Sequence, residues 1–222
     1  MNQVVKDKME RQITVIPTKE VNKIIDWKEW FIQYENAQEI FNKLNHYTTL
    51  MKRWEAEINP DFKQQIPYWI IIKWDKIFVY KRWGKNSNAW ESRLHNKVSI
   101  WVWGHIEWND VYDIIIRKDK NKENIDLTLV GLLREMEEEI NLKSDNIKDI
   151  KAIGIINDNS NEVWKVHLWF VYFVEVDDDF VPKMEDWELA NWEFMNKDEL
   201  RNLLDNPDYE VENWSKLIIE KI

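Results

Sequence analysis

Three glutamates near the middle of the chain have the spacing of one helix face. Glu135, Glu138 and Glu139 stand in DLTLVGLLREMEEEIN, residues 126–141. At about 100° per residue they share one arc of a helix, where like charges repel by a few tenths of a kcal/mol per pair. A divalent cation such as Mg²⁺ or Mn²⁺ would remove that repulsion, because hard cations prefer oxygen ligands. The alternative interpretation of the three acids is a solvated acidic face.

The remaining residues of this helix predict how it packs. Its apolar arc adjoins the acidic arc, so the acids would lie at the rim of a packed surface, where a cleft can form. Arg134 precedes Glu138 by one turn and could orient its carboxylate through a charge-assisted hydrogen bond. Gly131 lies on the acidic arc one turn earlier. The apolar arc comprises Leu129, Leu132, Leu133, Met136 and Ile140.

Hydrophobic patterns predict the elements that position this helix. Strands are predicted in YWIIIKW, KIFVYKR and VSIWVWG before it, and in IKDIKAIGIIND, EVWKVHLWFVYFVEV and LANWEFMN after it. NKDELRNLL and ENWSKLIIEKI predict closing helices. Such mixed elements indicate an α/β (α+β) sandwich. We expect a domain over residues 63–222, preceded by a mainly helical extension over residues 1–62.

Composition limits the classes of function. The 222 residues are 44% hydrophobic and 32% charged, with a net charge of −10, which argues against bulk nucleic-acid or membrane-surface binding. The absence of cysteine excludes disulfides, thiolate nucleophiles and cysteine zinc sites, and the four histidines lack ligand spacing such as HxxxH. Without an apolar leader or a long apolar run, we expect a cytoplasmic protein. The sequence leaves the oligomeric state open.

The tryptophan content is anomalous. Fifteen Trp stand against four Gly, whereas average usage predicts about 15 Gly in such a chain. Several Trp occupy turn positions that favour Gly, such as Trp74-Asp75 between two strand-like runs. We hypothesise that many of them are glycines encoded by UGA and translated here as Trp, whereas Trp214 suits an amphipathic helix. The alternative is a truly Trp-rich, carbohydrate-binding or interface-forming protein. Further turn-like pairs are Trp83-Gly84, Ala89-Trp90, Trp103-Gly104, Trp108-Asn109, Asp186-Trp187 and Asn191-Trp192.

The glutamate helix carries a family resemblance. The stretch REMEEEI, residues 134–140, resembles the core of the Nudix box, R-E-U-x-E-E-x-G-U with U aliphatic, and Leu142 fills the last U. Asn141 replaces the box glycine, as Asn often does in left-handed geometry, and the shorter acid Asp126 stands where the box has Glu. Lys120 occupies the expected opening glycine, so the opening motif would lie upstream, before an insertion of roughly sixteen residues.

The displaced opening motif also connects the family to the tryptophan anomaly. It would be WGHIE, residues 103–107, within SIWVWGHIEWND. With Gly at Trp101, Trp103 and Trp108 it reads SIGVGGHIEGND, which resembles Nudix proteins with a GGHI opening, an insertion and a later V-G-x-V-H-L-G strand. That strand would be VWKVHLW, residues 163–169, with Trp at both glycine positions.

The resemblance implies a fold, an activity and a metal site. The fold would be a Nudix-type α/β/α sandwich with a mixed sheet, and the activity Mg²⁺- or Mn²⁺-dependent hydrolysis of a nucleoside diphosphate linked to another moiety. Glu138 and Glu139 would be principal metal ligands, and Glu135 a further ligand or the base. Arg134 would be the orienting partner, and the backbone carbonyl of Trp103 a further ligand. The alternatives are a noncatalytic Nudix-like nucleotide-binding or regulatory module, or a chain impaired by crowding from Trp103 and Trp108.

The expected substrate is a small phosphorylated compound, a nucleotide derivative by the same resemblance. His105 could contact phosphate or form a hydrogen bond that fixes its loop, and His167 suits a satisfied core histidine. For the remaining phosphate or base candidates a surface position is an equal alternative, whereas for the acid candidates ordinary solvation is the favoured alternative. Those for phosphate or base binding are Arg82, Arg93 and His95, and those for a further acid are Glu185 and Glu188.

Overall fold

The computed structural model describes residues 3–82, 97–116, 126–183 and 189–221. The helices are α1 Gln3–Glu10, α2 Thr18–Ile25, α3 Ala37–Asn45, α4 Arg53–Ala56, α5 Trp108–Ile116, α6 Leu127–Ile140, α7 Lys197–Asp205 and α8 Asn213–Ile219. The strands are β1 Gln12–Pro17, β2 Trp30–Gln33, β3 Thr49–Lys52, β4 Phe62–Lys73, β5 Lys76–Arg82, β6 Val98–Ser99, β7 Val102–Trp103, β8 Ile147–Asn157, β9 His167–Val176 and β10 Leu189–Met195.

The described strands form a ten-stranded sheet with the main order β10-β5-β4-β9-β8-β2. The chain divides into two compact units. The first comprises Met1–Tyr68, Trp103–Glu135 and Ala152–Tyr172, and the second comprises Trp69–Val102, Met136–Lys151 and Phe173–Ile222. The predicted α/β class with a mixed sheet is confirmed.

The N-terminal segment contributes strands as well as helices to the first unit. Strand β1 pairs antiparallel with β3 and with the first residues of β4, and β2 pairs antiparallel with the end of β8. The apolar residues of β1 explain this placement, since Ile13, Val15 and Ile16 are buried. Helical residues outnumber strand residues in the segment, but its strands belong to the same sheet as the rest of the chain.

The second unit contains the predicted hairpin between β4 and β5. Its register pairs Lys73 with Lys76, which leaves Trp74-Asp75 as a two-residue loop. Strand β10 pairs with β5 and changes register between Ala190 and Glu193. The pair Asn191-Trp192 therefore lies in an irregular strand, not in the predicted turn. Likewise Trp108-Asn109 begins helix α5 instead of forming a turn.

Three tryptophans have backbone angles that side chains disfavour. Trp27, Trp30 and Trp74 have φ values of 56°, 68° and 59°, in the left-handed region. Their side chains are exposed by 73%, 48% and 59%. The described glycines have no positive φ. At these three exposed positions a bulky side chain stands on left-handed backbone, where glycine would be free of strain.

None of the described helices is long and apolar enough to span a membrane.

Candidate active site

Helix α6 has the predicted two faces. Leu132, Met136 and Ile140 are fully buried, and Glu137 and Glu138 are exposed. The helix ends where predicted, because Asn141 has a φ of 54° and the Leu142 amide donates to the Met136 carbonyl at 3.1 Å. The side chain of Glu135 is only 13% exposed. Along the acidic arc, the enclosed carboxylate of Glu135 is therefore followed about one turn later by the exposed Glu138 and the half-buried Glu139.

Asp126 fixes the beginning of α6. Its carboxylate accepts from the Thr128 amide at 3.0 Å and from the Tyr172 hydroxyl at 2.9 Å. Two side chains of α3 also donate to it, Gln38 at 2.8 Å and Asn45 at 3.1 Å. Burial, followed by the charge of Asp126, raises the pKa of Tyr172 well above its ordinary value, so the phenol remains a donor. The N-terminal segment thus helps to position the glutamate helix.

Arg134 links the helix to the opening loop. Its Nε donates to Asp110 Oδ1 at 2.6 Å, and its Nη2 donates to Asp110 Oδ2 at 3.1 Å. Nη2 also donates to the His105 carbonyl at 2.9 Å and to Glu135 Oε1 at 2.7 Å. Asp110 is buried and accepts from the Glu107 amide at 2.8 Å. The carboxylate of the acidic arc that these bonds join to Arg134 is that of Glu135, and the orientation of Glu138 by Arg134 stays a prediction.

Gly104 brings the loop backbone against Glu135. A Cβ atom built on Gly104 would lie 2.0 Å from Glu135 Cδ and 2.3 Å from Oε2. Only glycine leaves room for the carboxylate in this arrangement. Trp103, whose carbonyl is a predicted metal ligand, ends strand β7 directly before Gly104 and is half-buried. The donors expected at this end of the helix are all oxygen atoms, which suits a hard cation such as Mg²⁺.

His105 is buried, and its Nε2 lies 2.9 Å from Gln64 Oε1. Burial lowers the pKa of His105 well below its ordinary value, and the cation of Arg53 lowers it further. This placement supports the loop-fixing hydrogen bond that the sequence left as an alternative to phosphate contact. His167 is also buried, with Nδ1 2.7 Å from the Val163 carbonyl, as expected for a satisfied core histidine.

The other candidates for substrate binding cannot be placed. The side chain of Arg82 lies outside the part of the chain that the structure describes, as do four complete residues. These are Arg93, His95, Glu185 and Glu188. Their roles stay predictions.

Two buried charged groups were missed by sequence reasoning, Asp110 at the site and Lys63 elsewhere in the first unit. Asp110 carried a weak signal, since an acid three residues after Glu107 can accept from the Glu107 amide within the first turn of a helix. Lys63 carried none, because its burial at the beginning of β4 depends on tertiary packing. Its Nζ donates to Asn159 Oδ1 at 2.9 Å and to the Lys165 carbonyl at 2.7 Å.

Lys63 gives a pH-dependent prediction. Burial lowers its pKa to about 8, although the charges of Asp158 and Glu29 oppose this. Below pH 8 Lys63 is protonated in the folded chain, and the burial of this cation lowers the free energy of unfolding. Between pH 8 and the ordinary lysine pKa the unfolded chain binds more protons, so stability rises with pH. We expect the free energy of unfolding to rise by about 2–3 kcal/mol from pH 7 to 10, relative to Lys63→Met. Denaturant titrations of both proteins measure this, and parallel pH profiles would contradict the assignment.

Comparisons with solved structures indicate the fold. No family model matches the chain. Protein YmaB of Bacillus subtilis (strain 168) is 29% identical over 215 residues, which cover 96% of this chain and 98% of that protein. The crystal structure of Tm1382, described as a candidate Nudix hydrolase, is similar with a TM-score of 0.72 and 25% identity. The match covers 95% of this chain and 97% of Tm1382.

A more distant structure shares the architecture. The Nudix hydrolase from Alicyclobacillus acidocaldarius has a TM-score of 0.50 and 12% identity, over 71% of this chain and 90% of that one. Its likeness concerns the fold alone. Together with the length over which Tm1382 matches, it shows that this chain has the Nudix hydrolase fold.

Proposed function

We propose that the protein is a metal-dependent hydrolase that cleaves a nucleoside diphosphate linked to another moiety. The observation that carries this proposal is the close approach of Gly104 to the Glu135 carboxylate, beside the contacts of Arg134. A solvated acidic face needs no such enclosure. The arrangement keeps one acid of the helix at a fixed place against a backbone loop, as a reacting group requires.

Glu138, Glu139 and the Trp103 carbonyl would hold Mg²⁺ or Mn²⁺ in this proposal, with the two glutamates as the principal ligands. Glu135 would be either a further ligand or the base. The cation would neutralise charge on the substrate phosphates. A chain with a net charge of −10 needs such a cation, or local arginines and lysines, in order to bind an anionic substrate.

The chain's own residues would position a water molecule and accept its proton. In the proposed reaction the water oxygen forms a bond to phosphorus, and the bond from phosphorus to the bridging oxygen breaks. The proton of the water passes to Glu135, the base candidate, and the bridging oxygen leaves with the second product. Arg134 holds Glu135 through Nη2, so its role is positioning.

A substrate panel tests the proposal. The purified protein is incubated with Mg²⁺ and dinucleotides, nucleotide sugars or oxidised nucleoside triphosphates. We expect Mg²⁺-dependent release of a nucleotide product from at least one class. Tight nucleotide binding without turnover would instead favour the noncatalytic module. The cytoplasmic location predicted from the sequence stays a prediction.

We further propose that many tryptophans of this chain are glycines in the natural protein, encoded by UGA. The left-handed φ angles of Trp27, Trp30 and Trp74 support this, because a side chain there costs about 1–2 kcal/mol. The buried Trp69 gives separate support, since its indole Nε1 has no hydrogen-bond partner among the described residues. These observations are independent of the composition that suggested the hypothesis.

The tryptophans of the opening motif show no backbone strain. Trp101, Trp103 and Trp108 in the opening motif have no positive φ, so backbone strain does not single them out. Trp214 packs in α8 with only 8% exposure, and its ring lies 5.8 Å from that of Trp101. We therefore take Trp214 as the best candidate for a genuine tryptophan.

Replacing the three strained tryptophans tests the glycine proposal. We expect Trp27→Gly/Trp30→Gly/Trp74→Gly to raise the free energy of unfolding by about 2–4 kcal/mol, because left-handed strain is removed at each site. The control Trp214→Gly should lower it by about 3–5 kcal/mol through the cavity that it leaves. Denaturant unfolding measures both changes. A triple variant that is less stable than the parent, or UGG codons at most of the fifteen positions, would contradict the proposal.

A further inference from the structure

A second group of metal-ligating side chains lies in the first unit. Glu57 follows α4, His105 lies in the loop after β7, and His167 begins β9. One ligand atom from each residue lies within 4.8 Å of the other two. Both histidines are buried, and the Glu57 side chain is only 10% exposed. The cluster shares no acid with helix α6.

Hydrogen bonds set the tautomers of both imidazoles. Gln64 Oε1 can only accept, so Nε2 of His105 carries the proton and Nδ1 keeps a lone pair. The Val163 carbonyl likewise takes the proton of His167 Nδ1, which leaves a lone pair on Nε2. Metal-binding histidines are oriented by the same device, in which the other ring nitrogen donates to a carbonyl or carboxylate.

We propose that Glu57, His105 and His167 bind one divalent transition-metal ion such as Zn²⁺. Two imidazoles and one carboxylate suit zinc or a neighbouring first-row ion, whereas Mg²⁺ prefers oxygen ligands alone. Ligand atoms about 2.1 Å from a tetrahedral ion are about 3.4 Å apart. The atoms of the cluster would approach one another by at most about 1.4 Å, which is within the reach of side-chain rotation.

Positive side chains around the cluster oppose the binding of a cation, and the negative charge of Glu57 acts against them. Arg53 Nε lies 3.3 Å from Glu57 Oε1, so the other carboxylate oxygen is the one available for the ion. Arg53, Arg134 and Lys8 act on His105, and Arg53 and Lys63 act on His167. A cation that binds here must gain enough from its two nitrogen ligands to overcome these charges. This requirement favours a strong imidazole binder over Mg²⁺.

The ion would have a structural role. It would join the N-terminal segment, the opening loop and β9 at one point inside the first unit. His105 also offers its carbonyl to Arg134, so its loop would be held from both sides. The inference does not depend on the proposed hydrolase activity, because none of the three ligands belongs to the glutamate helix.

Cobalt titration of the chelator-treated protein tests the inference. Co²⁺ has visible absorption bands whose intensity reports four-coordinate binding. We expect one equivalent to bind, with at least a tenfold loss of affinity in His105→Gln, His167→Gln and Glu57→Gln. His46→Gln is the matched control, because this exposed histidine lies outside the cluster. Glu138→Gln/Glu139→Gln should also bind Co²⁺ at the cluster normally.

A second measurement avoids variants that fail to fold. In protein labelled with ¹⁵N-histidine, Zn²⁺ should shift the NMR resonance of Nδ1 in one histidine and of Nε2 in another. The ring-nitrogen resonances of the other two histidines should stay unchanged. The midpoint temperature of thermal unfolding should rise with Zn²⁺ and should not rise with Mg²⁺ at the same concentration. Loss of Co²⁺ binding in the helix variant, or histidine spectra that Zn²⁺ does not change, would overturn the inference.

Discussion

Replacing Glu138 and Glu139 together by glutamine is expected to lower kcat/KM at least about 10³-fold. Removal of a single preorganised charge-stabilising group typically costs 10²–10³-fold, and this change removes two proposed metal ligands. The amides keep the size of the side chains but lose the negative charges. Activity is measured with the best substrate of the panel, as a function of Mg²⁺ concentration.

The same variant should be at least as stable as the parent. Both residues lie in the last turn of α6, where negative charge is unfavourable to the helix dipole, and they repel Glu135. Loss of activity without loss of stability separates a ligand role from a structural one. Glu137→Gln is the matched control, since this residue is exposed on the same turn but off the acidic arc. Full activity in the double variant would refute the assignment of these ligands.

Gly104→Ala should lower kcat/KM by about 10²-fold. The new Cβ would lie 2.0 Å from Glu135 Cδ, so the carboxylate must move by an ångström or more. Misplacement of a catalytic group by about 1 Å can cost 10²-fold in rate. Stability should change less, because the atom in conflict belongs to the end of a flexible side chain.

Gly154→Ala provides the matched control for the steric effect. Its Cβ would lie 2.3 Å from the Ile32 carbonyl oxygen, which is backbone and cannot move freely. We expect this variant to lose stability while the activity per folded molecule stays near that of the parent. Unfolding curves and kcat/KM of both variants separate the two effects. A fully active Gly104→Ala would mean that Glu135 does not act from its described position.

Local sequence patterns predicted the elements whose conformation depends on residues that are close in sequence. The two-faced helix α6, its end at Asn141 and the two-residue loop at Trp74-Asp75 follow from periodicity and turn chemistry. The short strands β1–β3 were missed because helical periodicity dominates the N-terminal segment. Their pairing partners are distant in sequence, as in the register of Val15 with Gln64. Helix α5 was missed because it lies within the insertion, for which the motif makes no prediction.

The same distinction applies to the site. The arc of Glu135, Glu138 and Glu139 is a property of one helix, so sequence alone could predict it. The contact of Arg134 with Asp110 joins residues 24 positions apart and depends on how the opening loop folds. The group of Glu57, His105 and His167 combines three separate parts of the chain. No spacing rule identifies such a group, and only the tertiary structure brings it together.

Hydrolysis in H₂¹⁸O tests the central claim most directly. The protein is incubated with Mg²⁺ and the substrate panel in labelled water, and the products are analysed by mass spectrometry. The account predicts Mg²⁺-dependent turnover in which one ¹⁸O atom enters a phosphate group of a product, because water attacks phosphorus. Absence of turnover for every substrate, in this chain and in one with glycine at its tryptophan positions, would contradict the account. So would ¹⁸O found only outside the phosphate groups.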